Sequence, residues 1–365
     1  MINLTPGPSP EERGDCLVKV CASRLDCDVA SKSLSRSVEL NYDKFPSAVT
    51  PLLWRGVGGE VLTQMEPMTE TTTYTLIDGK KVASDIKQEI GLRVNQMKAA
   101  GKKIPHLAFI LVGDDGASTT YVDGKVKACK EVGFHYSMLR FAETITEKRL
   151  IKHIEQINMD DDIDGFIVQL PLPAHISVER VTERIKPEKD VDGFTNENFG
   201  SIISKEPLIL PATAFGVVEL LKRYNIETEG KHCVVVGASR IAGAPLSMML
   251  AEKGRATVTI CHKYTQNLTA HTKMADILCV AVGKPHMITA DMVKVGAVVI
   301  DIGTTRVEDK TKASGFTLRG DVDFKNVAPK CSYITPVPGG VGPMTIVSLL
   351  LNTLNAAELN KPKNQ

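Results

Sequence analysis

The chain has 365 residues, of which 43% are hydrophobic and 24% charged, and a formal net charge of +1. That length fits two globular domains with sizeable cores, and that charge balance excludes a general field for nucleic acid or membranes. No apolar run approaches the roughly 18 residues that a membrane helix needs.

Residues 1–72 stand apart. They carry Pro6-Gly7-Pro8-Ser9-Pro10, scattered charges, no sustained periodicity and the chain's only tryptophan, Trp54. The basic start and apolar core of a signal peptide are missing, and Glu11, Glu12 and Asp15 are out of place in a transit peptide. The segment reads as a disordered extension or as a start upstream of the native one, with Met65 and Met68 as alternatives.

Ordered sequence begins at Tyr74-Thr-Leu-Ile-Asp-Gly. Val82, Ile86, Ile90, Val94 and Met97 predict a helix from Val82 to Ala99. A buried strand at His106–Gly113 follows, then helices at Ser118–Val132 and Glu147–Asn158. The next strand, Gly165–Leu170, is broken by Pro171 and Pro173, and a short helix spans Val178–Ile185. A second alternation starts after Pro211. It has a helix at Phe215–Tyr224, a strand at His232–Gly237 and a helix at Ala244–Lys253. Strands at Ala256–Cys261, Ile277–Val282 and Ala297–Ile302 come next, and an apolar helix runs from Met344 to about Leu359. The order predicts an α/β protein of two domains, each a parallel sheet with helices on its faces. The divisions are a first catalytic domain over 73–211, a Rossmann-like nucleotide domain over 212–335, and a loop and helix over 336–365 that return to the first. The cysteines are Cys16, Cys21, Cys27, Cys129, Cys233, Cys261, Cys279 and Cys331, with no Cys-x-x-Cys pair. They read as reduced thiols of a cytoplasmic protein, several in apolar runs, and no metal site is expected.

Five segments carry chemistry. In Ser118-Thr-Thr-Tyr121-Val-Asp-Gly-Lys125, the four-residue spacing puts Tyr121 and Lys125 on one helix face. Such a pair can hold an aromatic substrate and move a proton, although the same spacing is common on solvated faces. In Val168-Gln169-Leu170-Pro171-Leu172-Pro173, a polar residue ends an apolar strand, where α/β sheets place ligands. Gln169 there can orient a catalytic amine. Asp192, in Lys189-Asp190-Val191-Asp192-Gly193, can accept hydrogen bonds from an amino-pyrimidine ring or simply build a turn. The turn Gly237-Ala238-Ser239-Arg240-Ile241-Ala242-Gly243 follows a strand and opens a helix, as a pyrophosphate site does, but lacks the Gly-x-Gly-x-x-Gly spacing. The next strand ends in Cys261-His262-Lys263 rather than in an acid, so Lys263 and Arg240 are candidates for a 2′-phosphate and the expected cofactor is NADP. The fifth segment, Pro336-Val-Pro338-Gly339-Gly340-Val-Gly-Pro343-Met-Thr345, allows close backbone approach and reads as a ligand-facing loop.

Taken together and in this order, the segments resemble the bifunctional methylenetetrahydrofolate dehydrogenase/cyclohydrolase family over about Thr73 to Glu358. The carrying motifs are Ser118-x-x-Tyr121-x-x-x-Lys125, Val168 to Pro173 and Pro338 to Thr345. The resemblance implies that Lys125 moves the cyclohydrolase protons, Tyr121 packs on the folate, Gln169 supports the lysine and Asp192 binds the pterin. It further implies folate contacts at Val168, Leu170, Pro338, Gly339, Gly340, Pro343 and Thr345, and dinucleotide contacts at Gly237, Ala238, Ser239, Lys263 and Thr304. Tetrahydrofolate one-carbon derivatives are the implied substrates, and a homodimer the implied assembly. Three positions depart from the family pattern. Ala212 and Ala214 stand in a usual Pro-Cys-Thr-Pro segment, which loosens the linker between domains. Ala238 replaces a common arginine, leaving the 2′-phosphate to Arg240 and Lys263. Ala242 replaces a common valine.

Overall fold

The computed structural model describes residues 74–113, 116–204, 207, 209–312 and 315–359, so the expectations for residues 1–72 lie outside it. The first strand, β1 (Thr75–Leu76), leads into α1 (Gly79–Ala99). Asp78 caps this helix by accepting from the Lys81 amide at 3.0 Å, and Val82, Ile86, Ile90, Val94 and Met97 form its buried stripe. Gly101, at φ +64°, ends it.

The smaller sheet contains β2 (His106–Val112), β3 (His135–Phe141) and β4 (Gly165–Val168), in the order β3-β2-β4 and all parallel. Between its strands run α2 (Gly116–Val132) and α3 (Glu147–Asn158), and α4 (Val178–Thr182) and α5 (Asn196–Ser201) follow. Every residue of β4 is buried, as in a parallel strand covered on both faces. The sequence reading did not include β3. Its residues are mostly polar and half-exposed at the sheet edge, so they show neither an apolar run nor a clean alternation.

The larger sheet is parallel throughout, in the order β1-β11-β8-β7-β5-β6. Its strands after β1 are β5 (His232–Val236), β6 (Thr257–Cys261), β7 (Ile277–Val280), β8 (Ala297–Asp301) and β11 (Cys331–Ile334). Its helices include α6 (Ala212–Arg223), α7 (Gly243–Glu252), α8 (Leu268–Thr272) and α9 (Phe324–Val327), and β9 (Thr305–Glu308) with β10 (Phe316–Arg319) forms an antiparallel hairpin. Because β5 is flanked by β6 on one side and β7 on the other, the strand order reverses beside β5. Ligands bind at such a switch point, outside the carboxyl ends of the strands. The pairing of β1 with β11 puts the first described strand into this sheet, before the chain crosses to the smaller one.

The last helix, α10 (Val341–Leu359), packs on α6, α1 and α2 and reaches β4 and β2. It is apolar around most of its circumference, as a helix covered on several sides must be. A single core cluster therefore joins Phe109 and Leu111 of β2 to Leu220 of α6, Val235 of β5 and Leu350 of α10. The segment around Ala212 is not a loose linker. It is the first turn of α6, and its amide donates to the Asp192 carbonyl at 3.1 Å. Cys129, Cys233, Cys261, Cys279 and Cys331 are buried free thiols. Among the described residues no helix is long and apolar enough to cross a membrane.

Asn352 of α10 is buried and donates to the carbonyls of Val191 and Leu210, both at 2.8 Å. It thereby holds the two chain segments that flank Asp192 and Pro211. Asn352→Leu deprives the buried Val191 carbonyl and the part-buried Leu210 carbonyl of this donor, at about 1–3 kcal/mol each. Urea unfolding should show a loss of about 2–6 kcal/mol; an unchanged midpoint would contradict this anchoring role.

Candidate active site

Lys125 sits on the inner face of α2, and only 4% of it is exposed. Its Nζ donates to Gln169 Oε1 at 3.1 Å and lies 4.9 Å from the centre of the Tyr121 ring, one helical turn back. Gln169 follows directly on β4. Its own Nε2 donates to the Leu170 carbonyl at 2.7 Å, which turns Oε1 toward the lysine. Burial pulls the Lys125 pKa down from the ordinary lysine value, and the nearby Asp192 carboxylate opposes that shift. Burial pushes the Asp192 carboxyl up to about 6, with Lys125 pulling the other way and Asp190 adding to the rise. Crowding in the cleft raises the Tyr121 phenol to about 12, Asp192 contributing, so the hydroxyl stays protonated at neutral pH.

These groups line a chamber of about 170 Å3 together with Ile167, Val168, Leu170, Phe194, Thr213, Ile241 and Thr345. Tyr121, Thr213 and Thr345 also line a larger cavity of about 580 Å3, which continues past Pro338, Gly339, Gly340 and Pro343 to Thr304, Arg306 and Asp301. The structure thus gathers Tyr121, Lys125, Val168, Gln169, Leu170, Asp192 and the Pro338–Thr345 loop around one continuous cleft. Gly340 stands where α1 begins. A Cβ on Gly79 would meet the Gly340 carbonyl oxygen at 1.8 Å, and the Lys80 amide donates to the Gly339 carbonyl at 3.1 Å. The side chain of Ser118, the first residue of its motif, lies outside the described residues.

The turn after β5 has the shape of a phosphate cradle. Gly237 takes φ +110°, and a Cβ there would stand 2.1 Å from the Ala281 carbonyl oxygen across the switch point. One on Gly243 would stand 1.6 Å from the Gly237 carbonyl oxygen. The backbone can close this tightly only without side chains, and the turn brings the start of α7 to the crevice. These features fit a dinucleotide pyrophosphate. Ala238 and Ser239 are exposed on the turn, and Lys263 is exposed beyond the end of β6 with its ammonium 4.9 Å from the Tyr264 ring centre. Arg240 points elsewhere. It donates to Asn196 Oδ1 at 2.5 Å and lies 3.8 Å from Glu183 Oε1, both in the part of the chain that carries the smaller sheet.

Several residues here were not singled out in the sequence. Thr213, Phe194 and Ile241 complete the chamber from three separate segments. Asp301, at the end of β8, accepts from the amides of Gly303, Asp321 and Val322 at 2.9–3.1 Å, and its own amide donates to Thr335 Oγ1 at 2.7 Å. Asp321 in turn accepts from the amides of Val282, Gly283 and Lys284 at 2.6–2.9 Å. Together the two carboxylates tie the loops after β7, β8 and β10. Burial holds the Asp301 carboxyl up at about 7 despite those amides. A polar residue ending an apolar strand was the available signal, and Asp301 shares it with Gln169.

Fold and site define a class: a two-lobed α/β enzyme in which a dinucleotide cradle opens onto a buried, charge-poor lysine. Comparison with known proteins specifies it. Residues 77–192 match the catalytic-domain model of tetrahydrofolate dehydrogenase/cyclohydrolase, and residues 211–361 match its NAD(P)-binding-domain model. The bifunctional protein FolD of Cytophaga hutchinsonii is 57% identical over 287 residues, 78% of this chain and 99% of that relative. The crystal structure of the bifunctional FolD from Campylobacter jejuni shares 44% identity with a TM-score of 0.74, covering 79% of this chain and 99% of that one. The Trypanosoma brucei methylenetetrahydrofolate dehydrogenase-cyclohydrolase, solved with NADP and an inhibitor, shares 37% identity with a TM-score of 0.75, covering 78% and 98%. The chain belongs to the tetrahydrofolate dehydrogenase/cyclohydrolase family.

The Asp192 shift has a defined pH signature. The ordinary value is 3.8 and the folded one about 6, so the folded protein holds this proton more tightly than the unfolded chain. Its contribution to stability is full below about pH 4 and is lost as pH rises through about 6. The unfolding free energy of the protein relative to Asp192→Asn should therefore fall across that window and stay level above it. A flat difference would show that the carboxyl is not held up by burial.

Proposed function

We propose that the protein oxidises 5,10-methylenetetrahydrofolate to the 5,10-methenyl cation with NADP and then hydrolyses that cation to 10-formyltetrahydrofolate. The observation that carries this reading is the buried Lys125 amine, held by the neutral acceptor Gln169 beside Asp192 and Tyr121. In this reading the pterin lies against Asp192, and the folate packs on Tyr121 with its body along Val168, Leu170 and the Pro338, Gly339, Gly340, Pro343 and Thr345 loop. The dinucleotide is held by Gly237, Ala238, Ser239 and Thr304. Bound there, it supplies the hydride acceptor. The chain's own part in that step is alignment and exclusion of water, since the cleft brings the two binding regions together.

The hydrolytic step needs a base and an acid. An ordinary lysine, at about 10.4, is almost fully protonated at neutral pH. Burial lowers the Lys125 pKa, and a cationic substrate lowers it further. As water oxygen bonds to the methenyl carbon, the neutral amine takes one water proton. The bond from that carbon to N5 then breaks, N5 takes a proton, and the hydroxyl proton departs, leaving the formyl group on N10. One proton is released overall. Gln169 orients the amine without adding a charge that would hold it protonated.

Arg240 is engaged by Asn196 and Glu183, so the reading assigns the 2′-phosphate of NADP chiefly to Lys263. The protein acts in the cytoplasm as a homodimer. Among the described residues no strand covers the outer edge of β3, which leaves its backbone groups free to meet a second copy.

A spectrophotometric assay with methylenetetrahydrofolate and each nicotinamide cofactor tests the whole reading. Lys125→Met should abolish loss of the methenyl chromophore. Gln169→Glu, which puts an anion beside the amine, should slow it about 10²- to 10⁴-fold, the usual size of a general acid–base contribution. Retained hydrolysis in both would overturn the lysine's role. Lys263→Glu should raise the KM for NADP about tenfold, equivalent to about 1.4 kcal/mol, and leave that for NAD unchanged. An equal change for the two cofactors would remove Lys263 from the phosphate site.

A further inference from the structure

The backbone of the turn after β5 is fixed from within. The Ala244 amide donates to the Ser239 carbonyl at 3.0 Å, and Gly243 packs directly on the Gly237 carbonyl. Between these points stand two neighbouring residues with different destinations. Arg240 crosses to the part of the chain that carries the smaller sheet, where its Nη2 donates to Asn196 Oδ1 at 2.5 Å and Glu183 Oε1 lies 3.8 Å away. Ile241 is 46% exposed, yet it lines the Lys125 chamber. It therefore forms a lip of that chamber, and among the described residues it is the one lining residue supplied by the dinucleotide turn.

The far end of the Arg240 contact is fixed as well. Buried Asp190 accepts from the amides of Gly193 and Thr195 at 3.1 and 2.7 Å and from Asn198 Nδ2 at 3.1 Å. Asn196 thus stands in the same knot as Asp192 and Phe194, which also line the chamber. We propose that Arg240 is a positioning residue for the hydrolytic step: by holding the dinucleotide turn to Asn196, it seats Ile241 at the mouth of the Lys125 chamber and keeps bulk water off the amine. The proposal rests on the functional reading above and adds a residue to it. The titratable groups around the amine are Asp192, Tyr121 and Cys129, and the charged group facing Arg240 is Glu183. With the lip displaced, water reaches the ammonium, and the burial that holds the Lys125 pKa down is relaxed. A smaller fraction of the amine is then neutral at a given pH.

The test follows hydrolysis of the methenyl cation by the intact enzyme against pH, without any nicotinamide cofactor. Arg240→Met should lower the rate at neutral pH about three- to tenfold, the reach of one exposed charge-assisted hydrogen bond. It should move the acid limb of the profile to higher pH and leave the high-pH plateau near that of the wild type. Arg240→Lys, which keeps a donor, should restore most of the loss. Ile241→Ala should shift the limb in the same direction, and the two substitutions together should shift it no further than Ile241→Ala alone, because both act through one lip. A loss by the same factor at every pH would overturn the proposal. So would an unchanged profile with a KM raised for NADP and not for NAD, which would make Arg240 a phosphate ligand instead. Absence of methenyl hydrolysis by the wild type would overturn the functional reading, and the positioning role with it.

Discussion

The site depends on keeping one amine out of water without giving it a strong counter-charge. Lys125 is almost wholly buried, and the hydrogen bond it makes to a side chain goes to the neutral Gln169 amide. A carboxylate in that position would stabilise the ammonium and remove the base. Asp192 is near enough to resist the shift, yet its own burial raises its pKa to about 6 and weakens its hold. The two groups thus restrain each other, and Gln169 decides the balance by direction rather than by charge.

That arrangement needs rigid surroundings, and the fold supplies them through its backbone. Lys125 comes from α2, Gln169 from the end of β4 and Asp192 from a loop that Asn352 of α10 anchors from behind. On the other side, Asp301 and Asp321 bind six amides between them and fix the loops after β7, β8 and β10. Because α10 packs on α1 and α6 within one core cluster, the two halves of the cleft share their support. The first turn of α6 lies at this junction, where the Ala212 amide donates to the Asp192 carbonyl.

Elements with one strongly buried face were legible in the chain. The stripe on α1 and the largely apolar β5, β7 and β8 were readable because burial selects most of their residues. Edge and surface elements were not. β3 is polar along an exposed edge, and the β9–β10 hairpin, α5, α8, α9 and β11 are too short for a period to emerge. Arg240 shows the same limit at the site. Its place in the turn pointed toward a phosphate, whereas its guanidinium reaches Asn196 and Glu183, distant in sequence and adjacent only after folding.

By itself the sequence determined the two α/β halves, the family and the residue types at the chemical centre, since hydrophobic period and motif spacing are local properties. Tertiary structure alone decided the protonation bias of Lys125, because burial and Coulomb terms depend on groups from α2, β4 and the Asp192 loop meeting in one chamber. It also decided that Thr213, Ile241 and Phe194 line the cleft, and that β1 joins the larger sheet. Those are contacts between distant segments, and no spacing along the chain encodes them.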